Sequence, residues 1–321
     1  MPDLPKKISI VEEGVREGCQ IQDPPIPTAQ KLELIAALSE TGISKIQVAS
    51  MVNAQRVPGW ADADEVLERL PAAPPGVSYS AVWLNDKGFD RAWRHRDKLA
   101  FDGAISAPAS EAFLLRNQNR TLAQNFAEQR ERIAAYKARG LAVDRVGVMA
   151  AFGCNFEGEI PVPRVIEIIA QGMDLAAETD CDISSIVLAD TMAWATPFSA
   201  KRMIDAVRSR WPEVEISLHL HDTRGTGMAA AYAGLQLGVT RFDASIAGLG
   251  GCPFAATDGA AGNICTEDFA FMCEEMGIET GLDIDRLIEV ARLAEEVVGR
   301  PLPGHVMRGG TLKAARQKVA A

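Results

Sequence analysis

Two histidines separated by one residue form the run His219-Leu220-His221-Asp222. On a β-strand, residues i and i+2 point to the same side, so both imidazoles can face one side while Leu220 faces the other. Two neutral imidazoles that converge in this way suit a divalent cation, and Glu17 with an amide or carboxylate oxygen would complete the ligand set. The alternative is a pair of surface or hydrogen-bonded histidines that bind no metal.

A glycine-rich run at 247–253 reads AGLGGCP and contains Cys252. Glycines at this density allow unusual backbone dihedral angles and a mobile loop. A cysteine in such a loop, at the rim of an active site, is a candidate catalytic thiol. The alternative is a phosphate-binding or merely tight turn in which Cys252 is inert, as most lone cysteines are.

A third candidate is the pair Arg16-Glu17, which follows the first predicted strand. An arginine beside a carboxylate that binds a metal offers a fixed cation for an enolate or an oxyanion. An exposed ion pair is the alternative interpretation of neighbouring arginine and glutamate residues.

The elements that must position these residues follow a regular alternation. Short β-branched or aliphatic runs predict eight strands, at 8–11, 45–49, 78–83, 101–106, 146–151, 185–189, 215–220 and 241–246. Amphipathic segments predict helices at 28–41, 61–70, 122–139, 165–179, 197–210 and 228–237, with two more at 266–276 and 284–298. Strict alternation predicts parallel strands joined by helical crossovers.

Eight strand–helix units in about 240 residues match the size of a (β/α)8 TIM barrel, an α/β fold. We therefore predict a single domain over residues 1–321, with the barrel at about 8–265, C-terminal helices at about 266–300 and a tail at 301–321. A doubly wound sheet is the competing interpretation, but no G-x-G-x-x-G follows the first strand, which disfavours a dinucleotide-binding fold.

Polar residue types collect at the carboxyl ends of the predicted strands, where a TIM barrel carries its chemistry. Besides the three candidates above, these are Gln20, Gln47, Ser50, Ser106, Asp190 and Thr191, which we expect to contact a substrate or to lie beside it. Polar and metal-binding residue types are thus predicted to collect at one rim of the barrel.

The composition excludes several classes of protein. The chain has 33 Lys and Arg against 43 Asp and Glu, a net charge of −10, which argues against a nucleic-acid partner. No apolar run reaches the roughly 18 residues that span a bilayer, and the polar start of the chain does not resemble a secretory signal. The six cysteines include no C-x-x-C pair and read as reduced thiols, so we expect a cytoplasmic enzyme.

Several segments together resemble the 3-hydroxy-3-methylglutaryl-CoA (HMG-CoA) lyase family, within the metal-dependent TIM-barrel lyases and Claisen-type synthases. They are VEEGVREGCQ (11–20), SAPASEAFLLRNQNR (106–120), FGCNFEG (152–158), LADTMAWATP (188–197), HLHDTRG (219–225) and AGLGGCPFAATDGAAGN (247–263). The synthase branch is expected to show H-x-H-N-D where this chain has His219-Leu220-His221-Asp222-Thr223, so the resemblance is to the lyase branch.

The resemblance implies a role for each candidate residue. Glu17, His219, His221 and Asn263 would bind Mg²⁺ or Mn²⁺, and Glu267 would support the glycine loop. Arg16, His219, Cys252 and Asp190 would be the catalytic residues, with Arg16 facing the thioester oxygen and Asp190 near the substrate. The implied reaction is retro-Claisen cleavage of a 3-hydroxyacyl-CoA to an acyl-CoA and a keto acid, and a homodimer is possible.

The chain departs from the family pattern around the expected acyl pocket. Glu17 replaces an aspartate, Gln47 replaces an acidic residue that could hold Arg16, and Trp194 stands where the family prefers a small residue. We therefore expect HMG-CoA itself or a related branched 3-hydroxyacyl-CoA as substrate. The alternatives are a CoA-independent, metal-dependent aldolase acting on a 2-oxo acid and a non-catalytic barrel that binds metal or CoA.

Overall fold

The computed structural model describes residues 4–251 and 262–320, and all eight predicted strands are present. In chain order the strands of these ranges are β1 (Ser9–Glu12), β2 (Lys45–Ser50), β3 (Ser78–Val82), β4 (Gly103–Pro108), β5 (Val143–Met149), β6 (Gly153–Cys154), β7 (Gly158–Glu159), β8 (Ser185–Asp190), β9 (Glu215–Leu220) and β10 (Arg241–Ala244). The hairpin of β6 and β7 is antiparallel and was not predicted, since its strands are only two residues long.

The helices include the eight that the amphipathic pattern predicts. They are α1 (Gly14–Gln20), α2 (Thr28–Leu38), α3 (Ala63–Arg69), α4 (Asp86–Trp93), α5 (Glu111–Gln118), α6 (Leu122–Lys137), α7 (Val162–Glu178), α8 (Pro197–Arg210), α9 (Gly227–Gln236), α10 (Thr266–Glu275), α11 (Ile284–Val298), α12 (Val306–Gly309) and α13 (Leu312–Ala320). In the described ranges, none is long and apolar enough to cross a membrane.

Capping residues explain why some helix bounds agree with the prediction to the residue. Thr196 accepts a hydrogen bond from the Ser199 amide, and Ser199 bonds back to Thr196, a capping box in front of Pro197 at the start of α8. Asp283 caps α11 with a single hydrogen bond, accepted by Oδ1 from the Arg286 amide at 3.0 Å, and Gly299 ends the helix with a φ of 73°. Side chains that satisfy the terminal amide and carbonyl groups thus fix where these helices begin and end.

The backbone divides into two compact units. Unit 1 comprises residues 4–5 and 101–242, and unit 2 comprises residues 6–100, 243–251 and 262–320. In unit 1, the strands pair in parallel in the order β4, β5, β8 and β9. Alternate residues of β5 and β8, Val146, Val148, Ile186 and Leu188, are at most 2% exposed, because strands with helical crossovers are covered on their faces.

In unit 2, β1, β2 and β3 pair in parallel in chain order. Helix α2 packs against this sheet through Leu34, Ile35 and Leu38, which are fully buried together with Ile46 and Val48 of β2. The helices α10 and α11, from the far end of the chain, pack on each other within the same unit. The predicted alternation of parallel strands and helices is therefore confirmed within each unit.

Candidate active site

The two histidines of the H-x-H run lie side by side in unit 1. His219 belongs to β9, and His221 follows its last residue. Their ring centroids are 5.0 Å apart and the rings meet edge to face, while Leu220 between them is fully buried. The expectation that residues i and i+2 present their imidazoles together is confirmed.

The hydrogen bond from His221 Nδ1 to the backbone oxygen of Asp190, 2.8 Å long, fixes the tautomer of this ring. A carbonyl oxygen can only accept, so Nδ1 carries the proton and the lone pair resides on Nε2. Histidine ligands in metal sites are oriented by this kind of bond from the ring nitrogen that does not bind the metal. His221 therefore fits the requirements of a metal ligand.

Asp190 is fully buried at the end of β8, and its carboxylate oxygens accept hydrogen bonds from backbone amides of the following turn. Oδ1 accepts from the Trp194 amide at 2.7 Å and Oδ2 from the Ala195 amide at 3.0 Å. Burial raises the pKa of Asp190, against these two hydrogen bonds and the two histidines, which lower it. Asp190 thus shapes its turn through its side chain and holds His221 through its backbone.

The other predicted residues of unit 1 lie on neighbouring strand ends. Thr191 Oγ1 accepts from the Ala150 amide at 2.9 Å, which ties the end of β8 to the end of β5. Ser106 lies within β4, and its backbone oxygen accepts from Asn125 and Gln129 of α6. Both residues are half-buried.

Arg16 and Glu17 lie on the seven-residue helix α1 of unit 2, which the sequence pattern did not predict. Arg16 Nε donates to Gln47 Oε1 of β2 at 2.9 Å, Nη2 donates to Glu13 Oε2, and Nη1 lies 3.9 Å from Glu17 Oε1. Gln47 contributes an uncharged amide to Arg16, and Glu13 supplies the carboxylate that pairs with it. The i, i+3 spacing of Glu13 and Arg16 is the signal that could have found it.

Glu12, which the sequence reasoning also missed, joins three segments of unit 2. Its carboxylate accepts from the Gly14 amide at 2.7 Å, the Ile246 amide at 2.9 Å and Thr266 Oγ1 at 2.6 Å. Burial raises the pKa of Glu12 to about 7, although each of these hydrogen bonds lowers it. The starts of α1 and α10 and the turn before the glycine loop are thereby held to one fully buried side chain.

The first part of the glycine loop packs directly on α1. A side chain at Gly18 would meet Leu249 at 2.2 Å, and one at Gly250 would meet Glu17 Cγ at 3.1 Å. Glu267 Oε2 accepts from the Ala247 amide at 3.0 Å, and Ala247 has a φ of 55°. This is the contact expected of a residue that supports the loop.

The remaining candidates of unit 2 are placed as follows. Gln20 ends α1, Ser50 is buried at the end of β2, and Asn263 is fully buried three residues before α10. Cys252, the predicted catalytic thiol, lies outside the described residues. The structure describes the histidine pair within unit 1 and the Arg16 and Glu17 pair within unit 2.

The free energy of unfolding of a Glu267→Gln variant is expected to depend less on pH than that of the wild type. Burial raises the pKa of Glu267 from 4.5 to about 7. Between these values the unfolded chain has released the proton and the folded chain keeps it, so the free energy of unfolding falls as pH rises. One such group accounts for a fall on the order of 3 kcal/mol. Urea denaturation across this interval measures the slope.

An isosteric amide cannot ionise, so the fall in the free energy of unfolding should be shallower in Glu267→Gln by the share of this one group. Glu65→Gln, the same change on the exposed Glu65 of α3, is the control and should keep the wild-type slope. Identical slopes in wild type and Glu267→Gln would contradict the raised pKa.

The chain is similar to known proteins over most of its length. The HMGL-like family model matches residues 7–294. The hydroxymethylglutaryl-CoA lyase YngG of Bacillus subtilis is 34% identical over 300 residues, covering 93% of this chain and 96% of the relative. A crystal structure of the Bacillus subtilis HMG-CoA lyase superposes with a TM-score of 0.85 at 33% identity, over 95% of this chain and 98% of the other.

A further solved structure is an HMG-CoA lyase from Acinetobacter baumannii in complex with coenzyme A and 3-methylmalate. It superposes with a TM-score of 0.84 at 35% identity and covers 95% of this chain and 96% of that one. These likenesses confirm the α/β fold class, a (β/α)8 TIM barrel. The chain therefore belongs to the HMGL-like family of metal-dependent carbon–carbon lyases.

Proposed function

We propose that this protein cleaves a 3-hydroxyacyl-CoA, HMG-CoA or a related branched thioester, to an acyl-CoA and a keto acid. The observation that carries the proposal is the pair His219 and His221, with the tautomer of His221 fixed by Asp190. The relatives support the substrate class, since one is named an HMG-CoA lyase and another is solved with coenzyme A and 3-methylmalate.

A divalent cation, Mg²⁺ or Mn²⁺, is the proposed cofactor. The proposed ligands are the carboxylate of Glu17, the imidazoles of His219 and His221 and the amide oxygen of Asn263, as the family resemblance implies. The donor chemistry fits, because imidazole nitrogen with carboxylate and amide oxygen suits divalent ions of this kind. When bound, the cation supplies Lewis-acid polarisation of the substrate hydroxyl and carboxylate oxygens.

The role proposed for Arg16 is to stabilise the enolate. The proton of the 3-hydroxyl leaves to a base, the hydroxyl carbon becomes the ketone of the keto acid, and the electrons of the broken C2–C3 bond pass to the thioester. The negative charge develops on the thioester oxygen only as this bond breaks. A guanidinium already fixed in place lowers the barrier because it needs no reorganisation at that moment.

The proton that completes the acyl-CoA product must reach the enolate carbon. Cys252 on the glycine loop, or a histidine at the rim, is the proposed donor. Gln20, Gln47, Ser50, Ser106 and Thr191 are proposed to line the substrate site. A cytoplasmic location and a homodimer also stay predictions.

Product detection by mass spectrometry tests the proposal. The purified protein is incubated with Mg²⁺ or Mn²⁺ and a panel of 3-hydroxyacyl-CoA thioesters that includes HMG-CoA. Release of acetyl-CoA or propionyl-CoA is expected from at least one member, and its identity defines the acyl preference. If no thioester of the panel is cleaved although the metal is demonstrably bound, the result would contradict the proposal. It would favour a CoA-independent aldolase or a non-catalytic barrel.

A Cys252→Ser variant should lower turnover by about tenfold while leaving metal content unchanged, because a serine hydroxyl transfers protons less readily than a thiol. Steady-state kinetics and metal analysis of the same preparations measure both quantities. Cys273→Ser is the control, since this buried thiol of α10 serves no proposed step. Equal turnover in Cys252→Ser and wild type would contradict the proposed role of Cys252 in proton transfer.

A further inference from the structure

Three side chains of unit 2 form a closed network around Arg16, which we call the Arg16 network: Glu13, Arg16 and Gln47. Glu13 precedes α1, Arg16 lies on α1, and Gln47 lies on β2. Arg16 donates to both of its partners, and Gln47 Nε2 donates to Glu13 Oε1. The side chains of Arg16 and Glu13 are 13% and 4% exposed, so the contacts are largely shielded from water.

The roles of donor and acceptor in this network are fully determined. A guanidinium can only donate and an ionised carboxylate can only accept, so the Gln47 amide must turn its oxygen to Arg16 and its nitrogen to Glu13. Glu13 therefore holds Arg16 directly through Nη2 and also sets the amide orientation that holds Nε. Two of the three guanidinium nitrogens are therefore hydrogen-bonded, Nη2 to the Glu13 carboxylate and Nε to the Gln47 amide that this carboxylate orients.

The backbone of Arg16 is also held. Trp60 Nε1 donates to the Arg16 backbone oxygen at 2.7 Å, and the fully buried Trp60 ring packs against the Lys31 ammonium. The side chain and the backbone of Arg16 thus have different partners, so we expect a change in the Arg16 network to displace the guanidinium more than α1. Because Trp60 holds the backbone, Glu13 can determine the position of the Arg16 guanidinium alone.

Charge balance points the same way. Burial lowers the pKa of Arg16, but Glu13 followed by Glu17 and Asp243 outweighs it, and the net result is a raised pKa. A shielded cation needs a compensating anion within hydrogen-bonding distance. Of the two carboxylates nearest Arg16, Glu13 forms the hydrogen bond, while Glu17 Oε1 lies at 3.9 Å from Nη1.

We propose that Glu13 is a positioning residue for Arg16 and that the single negative charge of the Arg16 network can be carried from either the Glu13 or the Gln47 position. The inference rests on the proposed function, in which Arg16 meets the enolate. With Nε and Nη2 held, the proposal assigns the contact with the thioester oxygen to Nη1, which lies 3.9 Å from Glu17 Oε1. Glu13 thereby determines the position of the Arg16 guanidinium relative to the C2–C3 bond of the substrate.

A charge-relocation experiment tests this inference with Glu13→Gln, Gln47→Glu and the double variant. Glu13→Gln removes the anion and should lower kcat by about 10- to 100-fold, the scale of a misplaced catalytic group, with KM changed little. Gln47→Glu places two carboxylates at hydrogen-bonding distance and should also lower kcat. The double variant again has one carboxylate and one amide, and its kcat should return to within about threefold of wild type, a strongly non-additive result.

Two outcomes would overturn the inference: a double variant that loses the product of the two single losses, or a Glu13→Gln variant with wild-type kcat. Glu65→Gln on the exposed surface of α3 is the matched control and should leave kcat unchanged. Residual metal content is measured in each variant, so that a loss of the ion is not mistaken for displacement of Arg16.

A second readout separates this inference from the proposed function. The ¹⁵N–¹H signal of Arg16 Nε, assigned by its absence in Arg16→Lys, should shift in both single variants and return towards the wild-type position in the double variant. If the wild type cleaves no thioester, the proposed function fails. The Nε signal still tests whether the charge of the Arg16 network can be carried at either position. A signal that does not return in the double variant would refute the interchangeable charge.

Discussion

A His221→Ala variant should lose its bound divalent ion and turnover together. His221 is 3% exposed and its Nδ1 is committed to Asp190, so Nε2 is the atom that would meet the metal. Lewis-acid catalysis supplies several kcal/mol, and each 1.36 kcal/mol is tenfold in rate, so turnover should fall by about 10³-fold. Metal analysis of the dialysed protein and steady-state kinetics measure the two losses.

The matched control is His95→Ala, which removes a histidine that lies in a turn after α4 and has no proposed role. It should retain wild-type metal content and turnover. Unchanged metal stoichiometry in His221→Ala would contradict the ligand assignment, whatever the effect on rate. Adding excess Mg²⁺ or Mn²⁺ separates weakened binding, which excess ion restores, from loss of the site.

An Arg16→Gln variant is expected to keep its metal and lose turnover by about 10²- to 10³-fold, the scale seen when one preorganised oxyanion donor is removed. The cation meets a charge that exists only as the C2–C3 bond breaks, so kcat should fall far more than KM rises. Kinetics under saturating metal, with circular dichroism to confirm folding, provide the measurement.

Arg16→Lys makes this prediction sharper. Lysine keeps the positive charge but cannot reproduce the planar fork that engages Gln47 and Glu13 together. Its kcat should lie between those of Arg16→Gln and wild type. The control is Arg69→Gln, which alters an exposed partner of Glu65 on α3 and should leave kcat unchanged. A rise in KM alone in Arg16→Gln would assign Arg16 to substrate binding instead of the transition state.

The strands and most helices could be predicted because their signals are local. Parallel strands buried on their faces appear as continuous aliphatic runs, as 186–189 does, and caps such as Thr196 and Asp283 mark helix starts. The pairing of His219 with His221 follows from the two-residue period of a strand and needs no tertiary information. These features depend on neighbours within a few residues along the chain.

The parts that could not be predicted depend on distant contacts or on very short elements. Helix α1 has seven residues, too few for a clear helical period, and most of it is buried. Glu12 reads as an ordinary strand-end glutamate until Ile246 and Thr266 come within reach of it. Gln47 reads as the loss of a charge, and only the structure shows that Glu13 supplies one.

The hydrogen bonds of Glu12 have a consequence for the order in which the protein folds. They join residue 12 to residues 246 and 266, so unit 2 contains contacts between the two ends of the chain. Contacts of such long sequence separation form slowly, and during synthesis a chain folds from its N-terminal side. Residues 101–242 can therefore fold before α10 has left the ribosome, whereas β1 and α1 still lack their contact with α10 at that point. We expect the segment that carries Arg16 and Glu17 to be among the last to acquire its native structure. A truncated chain that ends before α10 should therefore be inactive.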